Sequence, residues 1–283
     1  MGLLQPPMGP HVDFSVPVGE AALARPDSLS WRVFKNPVSL FIGGVTAVIL
    51  ELAEPRVRTG VWEHTSFRTQ PMARLQRTGL AAMMTVYGPR SQSEKMIANV
   101  VRMHARVSGV TPGGQTYQAN DPLLLDWVQA TASFGFLEAY SAYVHAVAAH
   151  ERDAFYAEGR TCAQLYGALS APASQAELER LFAQMQPRLE PSPIIHEFLR
   201  IMQGVPVLPW PGRFMQRLLI HAAVELLPAP LRERLGLQAY TLNTGQRYLV
   251  CKVARVGDRL MLASGPAVQS CRRLGLPDDY LYH

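Results

Sequence analysis

Lysine is nearly missing from this chain. Of its 27 basic residues only Lys35, Lys95 and Lys252 are lysines, and no run of five or more Lys or Arg occurs. The net charge of +5 is therefore carried by scattered arginines rather than by a patch, which argues against a nucleic-acid partner. Charge of either sign is also scarce, at 17% of residues, and this excludes a disordered chain. Cysteine occurs three times, at Cys162, Cys251 and Cys271, without a CxxC pair. An odd number cannot close into a complete disulfide set, so free or buried thiols in a reducing compartment are expected. The longest apolar run, residues 38–50, is too short to span a bilayer and meets Glu51 at once. Stable membrane insertion is not expected, while peripheral contact stays open. The opening MGLLQPPMGPHVDF has neither the basic start nor the apolar core of a signal peptide. Pro6 stands where N-myristoylation needs Ser or Thr. The expectation is a soluble cytoplasmic protein. Strand-like alternation with Gly-rich hairpin signals is absent too, which leaves helices to build the core.

What is present fits that expectation. A chain of 283 residues that is 48% hydrophobic can bury a large core, as one sizeable domain or two small ones. Residues 1–30, with Pro6, Pro7, Pro10, Pro17 and Pro26, read as an extended arm, and residues 31–283 as one all-helical domain. A first helix is expected from Pro37 to Ala53, with Pro55 ending it. A second begins near Pro71 and stops at Gly88-Pro89. Ser91 with Glu94 reads as a capping box opening a third, which runs to about Gly109. The Thr111-Pro-Gly-Gly segment reads as a loop. Asp121-Pro122 is a strong helix start, and the apolar segment after it should lie centrally. Helices follow over about 149–168, 174–188, 193–203 and 213–226, with a longer one after Asn243. The Pro-rich stretch 204–212 is the best internal break, within one domain.

Two ordered clusters carry the chemistry, EHTSFRTQPMARLQRT over residues 63–78 and RMHARVSG over 102–109 leading into YQANDPLLLDWVQAT. Each sets polar groups among apolar ones at helical spacing, where burial makes an unpaired polar group costly. Arg74, Arg77 and Thr78 share one helical face. They are either a solvated basic face paired with nearby carboxylates or a row that meets an anion. His104 interrupts the apolar row Ile97, Val100, Val101. It is either a satisfied core histidine or a ligand, because neutral imidazole is the usual axial ligand of haem iron and an apolar helix face is what a porphyrin packs on. Arg102 and Arg106 flank it and point either to haem propionates or to solvent. No CxxCH occurs, so any haem is non-covalent. Glu63, His64 and His104 as a non-haem metal set lack a convincing spacing. Asp126, in the apolar helix, is expected to meet an arginine. His11, His283, His145, His150, His196 and His221 are poorer ligands by context.

These motifs, in this order, resemble the MpaB/latex-clearing rubber oxygenase family over roughly residues 31–236. The resemblance implies an all-α fold with globin-like packing and a b-type haem held through one proximal histidine. It identifies that ligand as His104. Arg74, Arg77 and Thr78 would match the family's row lining the haem pocket, with Arg77 steadying negative charge on bound oxygen. Arg102 becomes a further cofactor contact, and Glu63 the weaker candidate for a catalytic acid or base. The implied function is a haem b-dependent oxygenase or oxidase that uses dioxygen or peroxide on a small or lipophilic substrate. A non-catalytic haem-binding or sensing protein is the alternative. Two positions depart from the family: Glu54 stands where many relatives carry His, and Ser108 where they often carry Arg. Rubber-degrading members act outside the cell, whereas this chain shows no export signal.

Overall fold

A computed structural model describes residues 12–207 and 212–282. His11, His283, the prolines at 6, 7 and 10, and Pro209 and Pro211 of the expected break lie outside the described residues.

The helices pack around one central pair. Helix α2 (Pro37–Ala53) opens on Asn36, whose side chain accepts from the Val38 and Ser39 amides, with Pro37 at its first position. Helix α6 (Pro122–Tyr143) opens in the same way on Asp121, which accepts from the Leu123 and Leu124 amides. These two pack most extensively of all pairs. They touch backbone to backbone at Gly43 and Gly135. A Cβ on Gly43 would meet the Gly135 carbonyl oxygen at 2.6 Å, and one on Gly135 would meet the Gly43 oxygen at 2.3 Å. Only two glycines allow that approach. Polar ties fix the pair in place. Trp127 Nε1 donates to the Leu50 carbonyl at 3.3 Å, and Thr46 Oγ1 donates to the Ala223 carbonyl at 2.9 Å.

Around this pair the chain lays α1 (Leu29–Phe34), α3 (Pro55–His64), α4 (Pro71–Tyr87), α5 (Arg90–His104), α7 (Ala149–Tyr166), α8 (Gln175–Met185), α9 (Pro193–Gly204), α10 (Arg213–Glu225), α11 (Ala229–Arg234), α12 (Thr244–Asp258) and α13 (Pro266–Arg273). The protein is all-α, as expected. No single helix among the described residues is long and apolar enough to cross a membrane.

Of three local expectations, one holds but tells only half of what happens there, and two fail, each for a physical reason. Pro55 ends α2 but also starts α3 at an angle of 111°. Glu54 makes that turn possible. Its buried carboxylate accepts from the Arg56 and Val57 amides at 2.7 and 2.9 Å and pairs with Arg56 Nε at 2.8 Å. The capping box at Ser91 does not form either. Helix α5 begins one residue earlier, and the Ser91 amide donates to the Glu20 carboxylate at 2.6 Å instead. The third helix stops at His104, not Gly109, and the chain then forms an antiparallel hairpin of β1 (Ser108–Val110) and β2 (Thr116–Gln118).

The N-terminal segment and the C-terminus lock together across the α4–α5 junction. Arg273 is fully buried, with its guanidinium donating to the carbonyls of Phe14 at 2.6 Å, Glu20 at 2.8 Å and Tyr87 at 2.7 Å. Tyr87 in turn donates to the Trp31 carbonyl at 2.6 Å.

Candidate active site

Four helices bring Glu51 (α2), Arg74 (α4), His104 (α5) and Thr131 (α6) into one electrostatic neighbourhood. Glu51 is walled in by protein, yet part of its side chain stays accessible, as for a residue lining an internal space. Burial pushes its carboxyl up to about 7, against the opposing pull of Arg74 and a hydrogen bond from Thr131. Arg74 shows the complementary effect. Burial lowers its pKa, Glu51 resists that, and the neighbouring Arg77 charge adds to it.

His104 is the last residue of α5, with its carbonyl accepting from the Val107 amide at 3.0 Å as the chain leaves for the hairpin. Asn120, after the hairpin, donates to the Val101 carbonyl at 3.2 Å and holds this helix end. Burial first, and the Arg74 charge second, lower the pKa of the imidazole. At neutral pH it is therefore the uncharged form, with a lone pair to offer. Its Nδ1 is buried without a hydrogen-bond partner.

The residues expected from sequence divide into two groups. Arg74, Thr78 and His104 come together. The Arg74 guanidinium donates to Thr78 Oγ1, which donates back to the Arg74 carbonyl at 2.9 Å. Arg77 lies beside Arg74 but is exposed, and donates to Ser66 Oγ at 2.7 Å in the α3–α4 connection. Glu63 and Arg102 sit elsewhere. Glu63 is exposed at the end of α3, where its charge acts on Tyr117. Arg102 is exposed and donates to Asn99 on its own helix. Among the described residues no three of His, Cys, Asp or Glu converge as a metal set. His64 Nε2 instead meets the Tyr117 hydroxyl at 3.2 Å. Asp126 accepts from the Ser170 amide at 2.9 Å, so its partner is a backbone N–H rather than an arginine.

Sequence reading missed Glu51. Its only signal was position: a carboxylate closing the longest apolar run in the chain. A surface groove of about 580 Å³, lined by Thr65, Arg68, Thr69, Glu197, Arg200 and Ile201, shares no residue with this set.

The family model described as "ER-bound oxygenase mpaB/B'/Rubber oxygenase, catalytic domain" matches residues 31–258. The chain belongs to this family. No curated protein and no solved structure matches it. The match runs from within α1 to the last residue of α12, so Glu51, Arg74, His104 and Thr131 all lie inside the oxygenase catalytic domain, and α13 lies outside it.

Three observations bear on whether these residues suit the haem that the resemblance implies. His104 offers a neutral imidazole with a buried, unpartnered nitrogen. On α4, one residue past Thr78, Gly79 is half-buried with nothing within 4 Å of where a Cβ would point, so open space lies against the helix. Glu51 and Arg74 keep accessible surface inside the fold. The residues fit the group.

Proposed function

We propose that this oxygenase-family domain is haem b-dependent and activates dioxygen to oxidise a small or lipophilic organic molecule. The single observation that carries this reading is the neutral, partly enclosed His104 at the end of α5, which feels the charge of Arg74, the same cation that acts on Glu51. Haem, when bound, supplies the site at which dioxygen is taken up and reduced. His104 would hold it, as the imidazole ligand of a b-type haem.

The other side chains act on charge and protons. Arg74 is a half-buried cation, so its field falls on any negative charge that develops beside it with less screening than at the open surface. Thr78 accepts from that guanidinium and fixes its direction. Arg77, tied to Ser66 further out, adds positive potential from the same helix face. Glu51, raised to about 7, is poised to give and take a proton near neutral pH, with the Thr131 hydroxyl, which donates to the Val128 carbonyl, beside it. Glu63 would be a second proton carrier only from the protein's outer face. Met72 and Leu75 beside Arg74, and Val128 one turn from Thr131, are half-buried and apolar, which suits an apolar substrate.

The test is optical. Protein expressed with ample haem should show a Soret band and a b-type pyridine haemochrome. His104→Ala should lose most of both, while His145→Ala and His196→Ala should not. A colourless protein that takes up no added haemin would overturn the reading. A haem-loaded protein that consumes no oxygen with any apolar substrate would favour a sensor instead.

A further inference from the structure

The described surface carries twelve large exposed apolar residues, and five of them fall within one segment, residues 248–261. Helix α12 buries Val250, Ala254, Gly257 and Asp258 against the body, where Asp258 pairs with Lys35 at 3.1 Å. Its opposite face points outward. Tyr248, Leu249 and Val256 stand on that face, with Val256 70% exposed, and Leu260 and Met261 extend it into the following turn. At 100° per residue, Leu249, Val253, Val256 and Leu260 form one apolar stripe, with Tyr248, Lys252, Arg255 and Arg259 beside it. Asp258 is the one acidic residue in α12, and it is on the buried side. No carboxylate therefore shares the outward face.

The cations on this face are unneutralised. Lys252 Nζ lies 5.1 Å from the centroid of the Tyr248 ring, and Arg255 Nε donates to the Val144 carbonyl at 3.3 Å. Neither these two nor Arg259 takes part in an ion pair among the described residues. A stripe of apolar side chains flanked only by cations and a tyrosine is the pattern of a helix that lies in a membrane interface, apolar groups in the acyl boundary and cations among the phosphates. A second copy of this chain suits the face poorly, because a two-fold contact would set three cations against three cations with no acid to offset them.

We infer that the outward face of α12, with the Leu260–Met261 turn, docks this protein onto an anionic phospholipid surface. The contact is peripheral and needs no spanning helix. It is independent of the haem assignment, since none of its residues belongs to the Glu51–Arg74–His104 set.

The experiment is flotation of the purified full chain with vesicles of phosphatidylcholine alone, or with about one third phosphatidylserine. Binding should be about tenfold tighter to the anionic vesicles and should weaken with added salt. Val256→Glu with Leu260→Glu should abolish it by removing the apolar contact. Lys252→Glu with Arg259→Glu should abolish the preference for anionic lipid. All these positions are exposed, so circular dichroism should show each variant folded. Leu169→Glu, an exposed position on another element, should bind as the unaltered protein does. Absence of vesicle binding, or binding indifferent to both double variants, would overturn the inference. So would light scattering that showed a dimer broken by the same variants, which would make the face an interface between copies.

Discussion

Replacing Glu51 by glutamine tests the buried charge at the centre of the site. The amide keeps a hydrogen-bonding partner for Thr131 but cannot ionise. In the unfolded chain the carboxyl titrates at its ordinary 4.5, and in the folded protein at about 7. Because folding raises this pKa, the folded state holds the proton more tightly. The stabilisation is fully present below pH 4.5 and is lost as pH rises through 7. A displacement from 4.5 to about 7 corresponds to about 3 kcal/mol, of which about 2.5 kcal/mol falls between pH 5 and pH 8. Urea unfolding of cofactor-free protein at these two pH values measures it. At pH 5 the variant should lie within about 1 kcal/mol of the unaltered protein, since both are largely neutral at position 51. At pH 8 the variant should be the more stable by about 2–3 kcal/mol. The difference of differences isolates Glu51 from every other titrating group. An unchanged gap between pH 5 and pH 8 would show that Glu51 ionises as an ordinary surface carboxylate. Its proposed proton role would then fall.

Arg74→Ala should reduce turnover by roughly a hundredfold or more, as for other donors that face developing charge, whereas Arg77→Ala should cost less than about tenfold because its guanidinium is exposed; oxygen uptake by both variants decides, and the reverse order would refute the placement. Arg273→Ala should destabilise the protein by about 3 kcal/mol, because the Phe14 and Glu20 carbonyls lose their donor together, while the Tyr87 carbonyl keeps only Ser270 Oγ. Denaturant unfolding measures that loss, and a change below about 1 kcal/mol would mean that water replaces the guanidinium. Gly135→Ala should be equally damaging, since its Cβ would stand 2.3 Å from the Gly43 carbonyl oxygen; a variant with unaltered thermal stability would show that α2 and α6 can separate freely.

The chain's local signals were strong where one residue does the work. Asn36-Pro37 and Asp121-Pro122 each place a side-chain acceptor and a proline where a helix starts, and both helices begin there. Elsewhere the same signals were ambiguous. Pro55 was read as a stop, and it is also the first residue of α3, because Glu54 caps the new helix while the chain turns. Glu54 thereby has a local role of its own, satisfying two helix amides and Arg56. The hairpin at 108–118 escaped notice because its strands are three residues long and mostly exposed, leaving no apolar alternation to see. Ser91 lost its capping role to Glu20, a residue 71 positions away.

The family, the all-helical class and the convergence of Arg74 with Thr78 were fixed by sequence alone, because helical periodicity and motif order are local properties. What Glu51 does was decided only by tertiary structure. A carboxylate's pKa depends on what surrounds it, and its surroundings come from α4 and α6, more than twenty residues away in the chain. The same holds for the outward face of α12. Its amphipathic pattern is written in the sequence, but which side the body covers depends on where α2 and Asn36 lie, and that packing left the apolar and basic side facing out.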